Sequence, residues 1–283
     1  MVRSKYSWVF RKKTYRIQFD MPDGLLSEDS IIVSADFSSY SSLVNLFRNA
    51  RQYPSLLFIV FTDSDSEFID VPENLHIVRV MWEGELSRLA AKFFKLQPYK
   101  IFPKASQVTW IDANLVLHKG FDPTYLLSGK DIQFFAHNKR QFLWEEVVEI
   151  RRRGKDDSKL LDDLFRDQRF DQLALLQGRF LNSKKTEDIC SFYDEWWRRV
   201  LNGSIRDQIS LPIALDSLNK KIDIQVLESS AANEIFDVLQ HNRFDVSMPG
   251  MSITSKIRAL FSKILFLISL AKLRFIKIFK HRG

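Results

Sequence analysis

From about residue 31 onward, short apolar runs rich in β-branched and aromatic residues alternate with longer stretches in which apolar positions recur every three or four residues. The first pattern is that of strands covered on both faces and the second that of amphipathic helices. Their alternation predicts an α/β domain with a mostly parallel central sheet flanked by helices. The predicted strands are residues 31–34, 57–61, 76–80, 108–111, 132–136, 173–180 and 222–227. The predicted helices are residues 41–52, 85–102, 142–153, 158–168, 186–201 and 207–219. No repeat or linker interrupts this order, so residues 31–244 read as one domain. Residues 1–30 precede it as an extension containing the turn Met21-Pro-Asp-Gly24, and residues 245–283 follow as a connector and tail.

Charge separates the tail from the rest. The chain of 283 residues carries 42 Lys and Arg against 35 Asp and Glu, a net charge of +7. Residues 252–283 hold eight of the basic groups (Lys256, Arg258, Lys263, Lys272, Arg274, Lys277, Lys280 and Arg282) and no acid. The preceding 251 residues then hold 34 basic and 35 acidic groups and are nearly neutral at −1. Residues 259–271 are almost wholly apolar, with Lys263 among them, and fall short of the roughly 20 residues that span a bilayer. The expectation is a basic amphipathic C-terminal helix lying in a membrane interface, its cations on anionic headgroups. A helix docked on the body or on a second copy is the alternative. Nucleic acid is not the expected partner, because the tail's charges are interleaved with bulky aliphatics rather than polar residues. Residues 1–19 are basic without an apolar core of signal-peptide length, so a cytosolic start is the expectation.

Scarce residues exclude whole classes of chemistry. The nine glycines never fall in a dinucleotide-binding or P-loop spacing. Cys190 is the lone cysteine, so neither a disulfide within the chain nor a cysteine zinc site exists. The five histidines do not make a zinc-protease pair, and there is no serine-hydrolase elbow.

Ligands of such sheets bind at the carboxyl ends of the strands, so the polar residues just after the apolar runs are the ones to inspect. Three exits stand out: Phe61-Thr62-Asp63, Trp110-Ile111-Asp112-Ala113-Asn114 and Ala136-His137-Asn138. In an extended segment Asp112 and Asn114 share a face and suit a hard divalent cation bridging phosphates. In a turn the same two residues would serve local hydrogen bonding. Arg88, Lys92 and Lys95 are spaced by four and three on one helix face and can meet a phosphate or simply face water. Asp207 either caps a helix or faces the cleft. Of the consecutive pair Glu145 and Glu146, one at most can face it.

These segments, with residues 90–98, Phe135-Ala-His-Asn138, Trp144-Glu-Glu146, Gly154-Lys-Asp156 and Arg206-Asp-Gln-Ile-Ser-Leu-Pro212, stand in one order across residues 31–227. In that order they resemble a GT-A-type glycosyltransferase-like family whose bacterial members concern surface polysaccharide and whose plant members concern mucilage and turgor. The resemblance implies a GT-A-like domain. It also implies transfer of a sugar from a nucleotide-diphosphate donor to a glycan or lipid-linked acceptor, at the inner face of the membrane. It assigns Asp63, Lys95, Asp112, His137 and Gln208 to the donor. Asp112 and Asn114 would hold Mn²⁺ or Mg²⁺, with His241 as a third ligand, and the neutral amide of Asn114 departs from the usual carboxylate. Asp207 is the first candidate for general base or sugar-orienting carboxylate, with Glu146 and then Glu145 as alternatives. Retention or inversion is open. Two other functions compete: a ceramidase-like hydrolase of a lipid-linked substrate, and a membrane-binding module without activity.

Overall fold

The computed structural model describes residues 3–10, 15–37, 43–65, 67–83, 87–126, 129–153, 161, 170, 172–218 and 222–239. Apart from Leu161, the helix expected at residues 158–168 lies outside them, as does the basic tail. Within them the chain runs β1 (Arg3–Phe10), β2 (Tyr15–Pro22), a 3-10 turn (Asp23–Ser27), β3 (Ser30–Asp36), α1 (Val44–Gln52), β4 (Phe58–Thr62) and β5 (Leu75–Glu83). It continues through α2 (Ser87–Leu96), α3 (Pro98–Ile101), β6 (Gln107–Ile111), β7 (Leu115–Leu117), β8 (Ile132–Ala136), α4 (Leu143–Arg153) and β9 (Leu176–Lys184). It then forms α5 (Glu187–Asn202), α6 (Asp207–Ser217), β10 (Ile224–Leu227), α7 (Ser229–Ile235) and β11 (Phe236–Val238).

Nine strands form one sheet in the order β1-β2-β5-β4-β3-β6-β9-β8-β10, and β7 pairs with β11 beside it. The run β5-β4-β3-β6 is parallel, as is the pair β8-β10, while β9 is antiparallel to both its neighbours. The carboxyl ends of β4, β6 and β8 therefore share one edge, and because β9 is reversed that edge also receives its first residues.

Successive residues of β3 and β4 alternate between two cores. Ile31, Val33, Ile59 and Phe61 pack under α2, α5 and α6, whereas Ile32, Phe58 and Val60 pack under α1 and α7. A third cluster joins α4 to α6 through Leu143, Val147, Ile150, Ile209 and Ile213. Covering both faces removes the polar alternation of a half-exposed sheet, which is why these strands are continuous apolar runs in the sequence.

Several boundaries differ from those expected. Where one helix is expected at residues 85–102 there are two, Ser87–Leu96 and Pro98–Ile101, because Pro98 disfavours a helical residue before it and Gln97 leaves the helical region at φ −131°. Within the first thirty residues β1 and β2 join the sheet: β2 lies against β5, and Ile17, Phe19 and Met21 are wholly buried or nearly so. The strand expected at residues 173–180 begins three residues later and extends to Lys184.

Candidate active site

Helix α2 turns Leu89, Ala90, Phe93 and Phe94 into the core, and Lys92 and Lys95, three residues apart, emerge together toward the start of α6. Asp207 is the first residue of α6, where Arg206 occupies the cap position without a side-chain hydrogen bond. The Asp207 side chain does not cap the helix: Oδ1 accepts from Lys92 Nζ at 2.6 Å and Oδ2 from Lys95 Nζ at 2.5 Å. Burial alone would raise this carboxyl, but the two ammoniums outweigh it and hold it well below the usual carboxylate range. Burial likewise pushes the Lys95 ammonium down, against the pull of Asp207. Lys95 has 3% of its side chain exposed, with Nζ 5.8 Å from the Trp110 ring centre and 5.9 Å from that of Trp196. Lys92 keeps 27% exposed and forms the solvent side of the cluster.

A glycine makes room for this arrangement. A Cβ on Gly178 in β9 would lie 2.7 Å from Lys95 Nζ and 3.4 Å from Asp207 Oδ2. Around it β9 departs from β8, since Gln133 pairs with Asn182 and Phe135 with Gln177, leaving four β9 residues opposite the single residue Phe134. A bulge of this kind splays two strands and re-aims the side chains at their ends.

Asp112 and Asn114 lie in a turn rather than in an extended segment, with Leu115 N–H donating to the Asp112 carbonyl at 3.0 Å. Asp112 Oδ1 accepts from Trp110 Nε1 at 2.8 Å, and Asp112 is close enough to act electrostatically on Lys95. Asn114 is buried; its Nδ2 donates to Leu239 O at 3.2 Å, while its Oδ1 is buried without a hydrogen-bond partner. An orphaned interior amide oxygen next to a carboxylate turn fits a hard cation at two positions of its ligand shell. Among the described residues no group of three His, Cys, Asp or Glu side chains converges to complete that shell. His241 lies outside the described residues, which stop at Leu239 beside Asn114.

On the other side of β9 the same edge opens a cleft of about 330 Å³, lined by residues after β8, on α4, at the start of β9 and at the start of α6. His137 and Gln208 line it, and so does Glu146. The two glutamates separate as the helix geometry requires. Glu145 is turned back on its own helix, Oε2 accepting from the N–H groups of Gln141 and Phe142, whereas Glu146 is buried and ion-paired with Arg140 at 2.5 Å. Burial raises the Glu146 carboxyl, and Arg140 works against that rise. His137 Nδ1 accepts from the backbone of Lys139 and of Arg140, both at 3.1 Å, and Nε2 lies 3.4 Å from Arg140 Nη2. Burial and the nearby Arg140, Arg179 and Lys139 bring its pKa down to about 4.

The structure thus joins Lys95, Asp112 and Asp207 in one cluster, with Gln208, Glu146 and His137 in the cleft next to it. Asp63 follows β4 at the same edge, two strands from Asp112. Arg88 is exposed at the outer end of α2. Trp196 is fully buried, its Nε1 donating to the Asp207 carbonyl at 2.9 Å, and Trp197 packs on Phe93. Both indoles belong to the core. Gln177, Gly178 and Arg179 carry no strand-exit signal in the sequence, because they stand at the amino end of β9.

No protein-family profile matches this chain, and no curated protein matches it by sequence. Solved structures align with it in part. The galactosyltransferase LgtC, in complex with donor and acceptor sugar analogues, aligns at 11% identity over 69% of this chain and 72% of its own, with a TM-score of 0.43. A glycosyltransferase involved in glycosylation of the major capsid of PBCV-1 aligns at 12% identity over 71% of this chain and 82% of its own, with a TM-score of 0.39. The bifunctional glycosyltransferase WbbM aligns at 8% identity and a TM-score of 0.43, over 70% of this chain and 38% of its own.

Proposed function

We propose that the chain is a glycosyltransferase that takes a nucleotide-diphosphate sugar at the carboxyl edge of its sheet and passes the sugar to a glycan or lipid-linked acceptor. The observation that carries this reading is the meeting of Lys95, Asp112 and Asp207, which come from three segments of the family resemblance and are separated by up to 112 positions in the chain. Transfer from such a donor leaves a nucleoside diphosphate, so the site must receive growing negative charge on the leaving oxygens. Lys92, the more exposed of the two lysines, stands where that charge arrives, and a fixed cation in a partly dry site stabilises it without reorganisation. Mn²⁺ or Mg²⁺ on Asp112 and Asn114, when bound, supplies Lewis-acid neutralisation of the diphosphate.

Asp207, fixed as an anion by two lysines, is a weak proton acceptor at neutral pH. Its part in this scheme is to orient the donor sugar through a hydroxyl and to hold Lys95 in place. Glu146 is the better base, since its carboxyl is raised toward the working pH and it lines the cleft where an acceptor hydroxyl would enter. His137 lines the same cleft, and Glu145 has a structural task at the start of α4.

A thermal-shift screen of UDP-, GDP-, CMP- and dTDP-sugars, with and without Mn²⁺, tests the reading. One donor is expected to raise the melting temperature by about 5 °C or more near saturation. The rise should be larger with metal and absent in Asp112→Ala. A flat response to the whole panel would remove the proposal.

A further inference from the structure

The cleft beside the donor cluster has a charge balance that a neutral sugar does not explain. Its two carboxylates are already matched: Glu146 by Arg140, and Glu149 by Arg152 and Arg153. Three further cations line or rim it, Lys139, Arg179 and Arg206, and among the described residues no carboxylate lies within ion-pair distance of any of them. Arg206 Nε and Arg140 Nε are buried without a hydrogen-bond acceptor. A buried guanidinium N–H left unpaired costs free energy, and an ionised oxygen satisfies it about twice as well as a neutral one. The depressed His137, pushed down by Arg140, Arg179 and Lys139 once burial has acted, reports the same positive field.

From this we infer that the cleft is built for an acceptor bearing an oxyanion, a phosphate or a carboxylate, held by Arg179 and Arg206 with Lys139 at the rim. The inference rests on the transferase reading and deepens it by naming the acceptor's chemical class. The oxyanion belongs to the acceptor rather than to the donor diphosphate because β9 lies between the two groups. The Asp112 turn follows β6 on one side of it, and Lys139 and Arg140 follow β8 on the other. Consecutive residues at the start of α6 serve both sides, Asp207 reaching the lysines and Gln208 lining the cleft. An acceptor anchored there by its anion would present a neighbouring hydroxyl to Glu146.

Titration calorimetry on the full chain tests this with glucose 6-phosphate, glucuronate and methyl glucoside as acceptor probes, and with uridine and guanosine diphosphates plus Mn²⁺ as donor probes. One or both anionic sugars are expected to bind at least tenfold tighter than methyl glucoside, the phosphate and carboxylate arms telling which oxyanion is preferred. Arg179→Gln and Arg206→Gln should each weaken that binding about fivefold or more while leaving the diphosphate affinity within twofold. Arg179 is exposed, so its variant keeps the fold and the test does not depend on Arg206 alone. Equal binding of neutral and anionic sugars would overturn the inference. So would a parallel loss of diphosphate binding in both variants, which would give these cations to the donor. Anionic-sugar binding that responds to both variants in a chain that binds no nucleoside diphosphate would keep the oxyanion cleft and remove the transferase reading.

Discussion

Asp207 holds two ammoniums with one carboxylate, and its two oxygens cannot be replaced by an amide without leaving a buried cation uncompensated. Breaking a buried pair from one side costs on the order of 3 kcal/mol, so Asp207→Asn should lower the stability to urea by about that amount. The sign of its pH dependence follows from the depressed carboxyl. The stabilisation is complete above the unfolded value near 4 and is lost as the pH falls toward the lower folded value. The gap between wild type and Asp207→Asn should therefore be widest near pH 7 and narrow as urea midpoints are measured down to pH 3. Gly178→Ala probes the same cluster from the strand side. The new Cβ meets the tip of Lys95, which can retreat along its flexible stem only by leaving Asp207. The expected loss of stability is about 2 kcal/mol, the scale of a charged hydrogen bond. The donor-induced rise in melting temperature should disappear, and that loss separates a site effect from simple crowding.

At the level of elements, the strands around the site were legible where both faces are apolar and illegible where the interior is polar. Residues 132–136 were read with the bounds that β8 has, since every one of its positions is apolar or packed. Strand β9 was misplaced because Asn182 and Ser183, both fully buried, interrupt its apolar run. Their polarity is satisfied inside, Asn182 Oδ1 accepting from Gln107 Nε2 and Ser183 Oγ lying 3.0 Å from the Tyr193 hydroxyl. At its other end Leu173 and Leu175 join the α4 cluster instead of the sheet. The hairpin β1–β2 was read only as an extension, because its place depends on pairing with β5 some sixty residues away. Asp112 and Lys95 could be singled out as candidates by type and position, whereas Gly178 and Arg179 depend on the reversed direction of β9, which no local pattern encodes.

Across the whole molecule, the charge separates into a nearly neutral body, with cations gathered in one cleft, and a strongly basic tail. No helix among the described residues is long and apolar enough to cross a membrane. The proposal that the tail seeks an anionic surface makes a quantitative claim, since each Lys or Arg near such a surface contributes roughly 1 kcal/mol. Replacing Lys272, Arg274, Lys277 and Lys280 by Gln should weaken cosedimentation with vesicles containing phosphatidylserine by more than a hundredfold, and added salt should weaken the wild-type chain in the same direction. Donor binding by the body should be unchanged, and vesicle binding indifferent to both charge and salt would end the proposal.

Among the described residues, strand β9 is also the one strand that joins the sheet's two halves, β1 to β6 on one flank and β8 with β10 on the other. The lysine–aspartate cluster and the cleft are thus stitched together by the backbone amides of a single interior strand. Opening that seam would separate the halves of the site and the halves of the fold in one event. In native-state hydrogen exchange, the β9 amides paired with β6 should accordingly be among the slowest, exchanging only through global unfolding, while those of the edge strands β1 and β10 exchange by local opening.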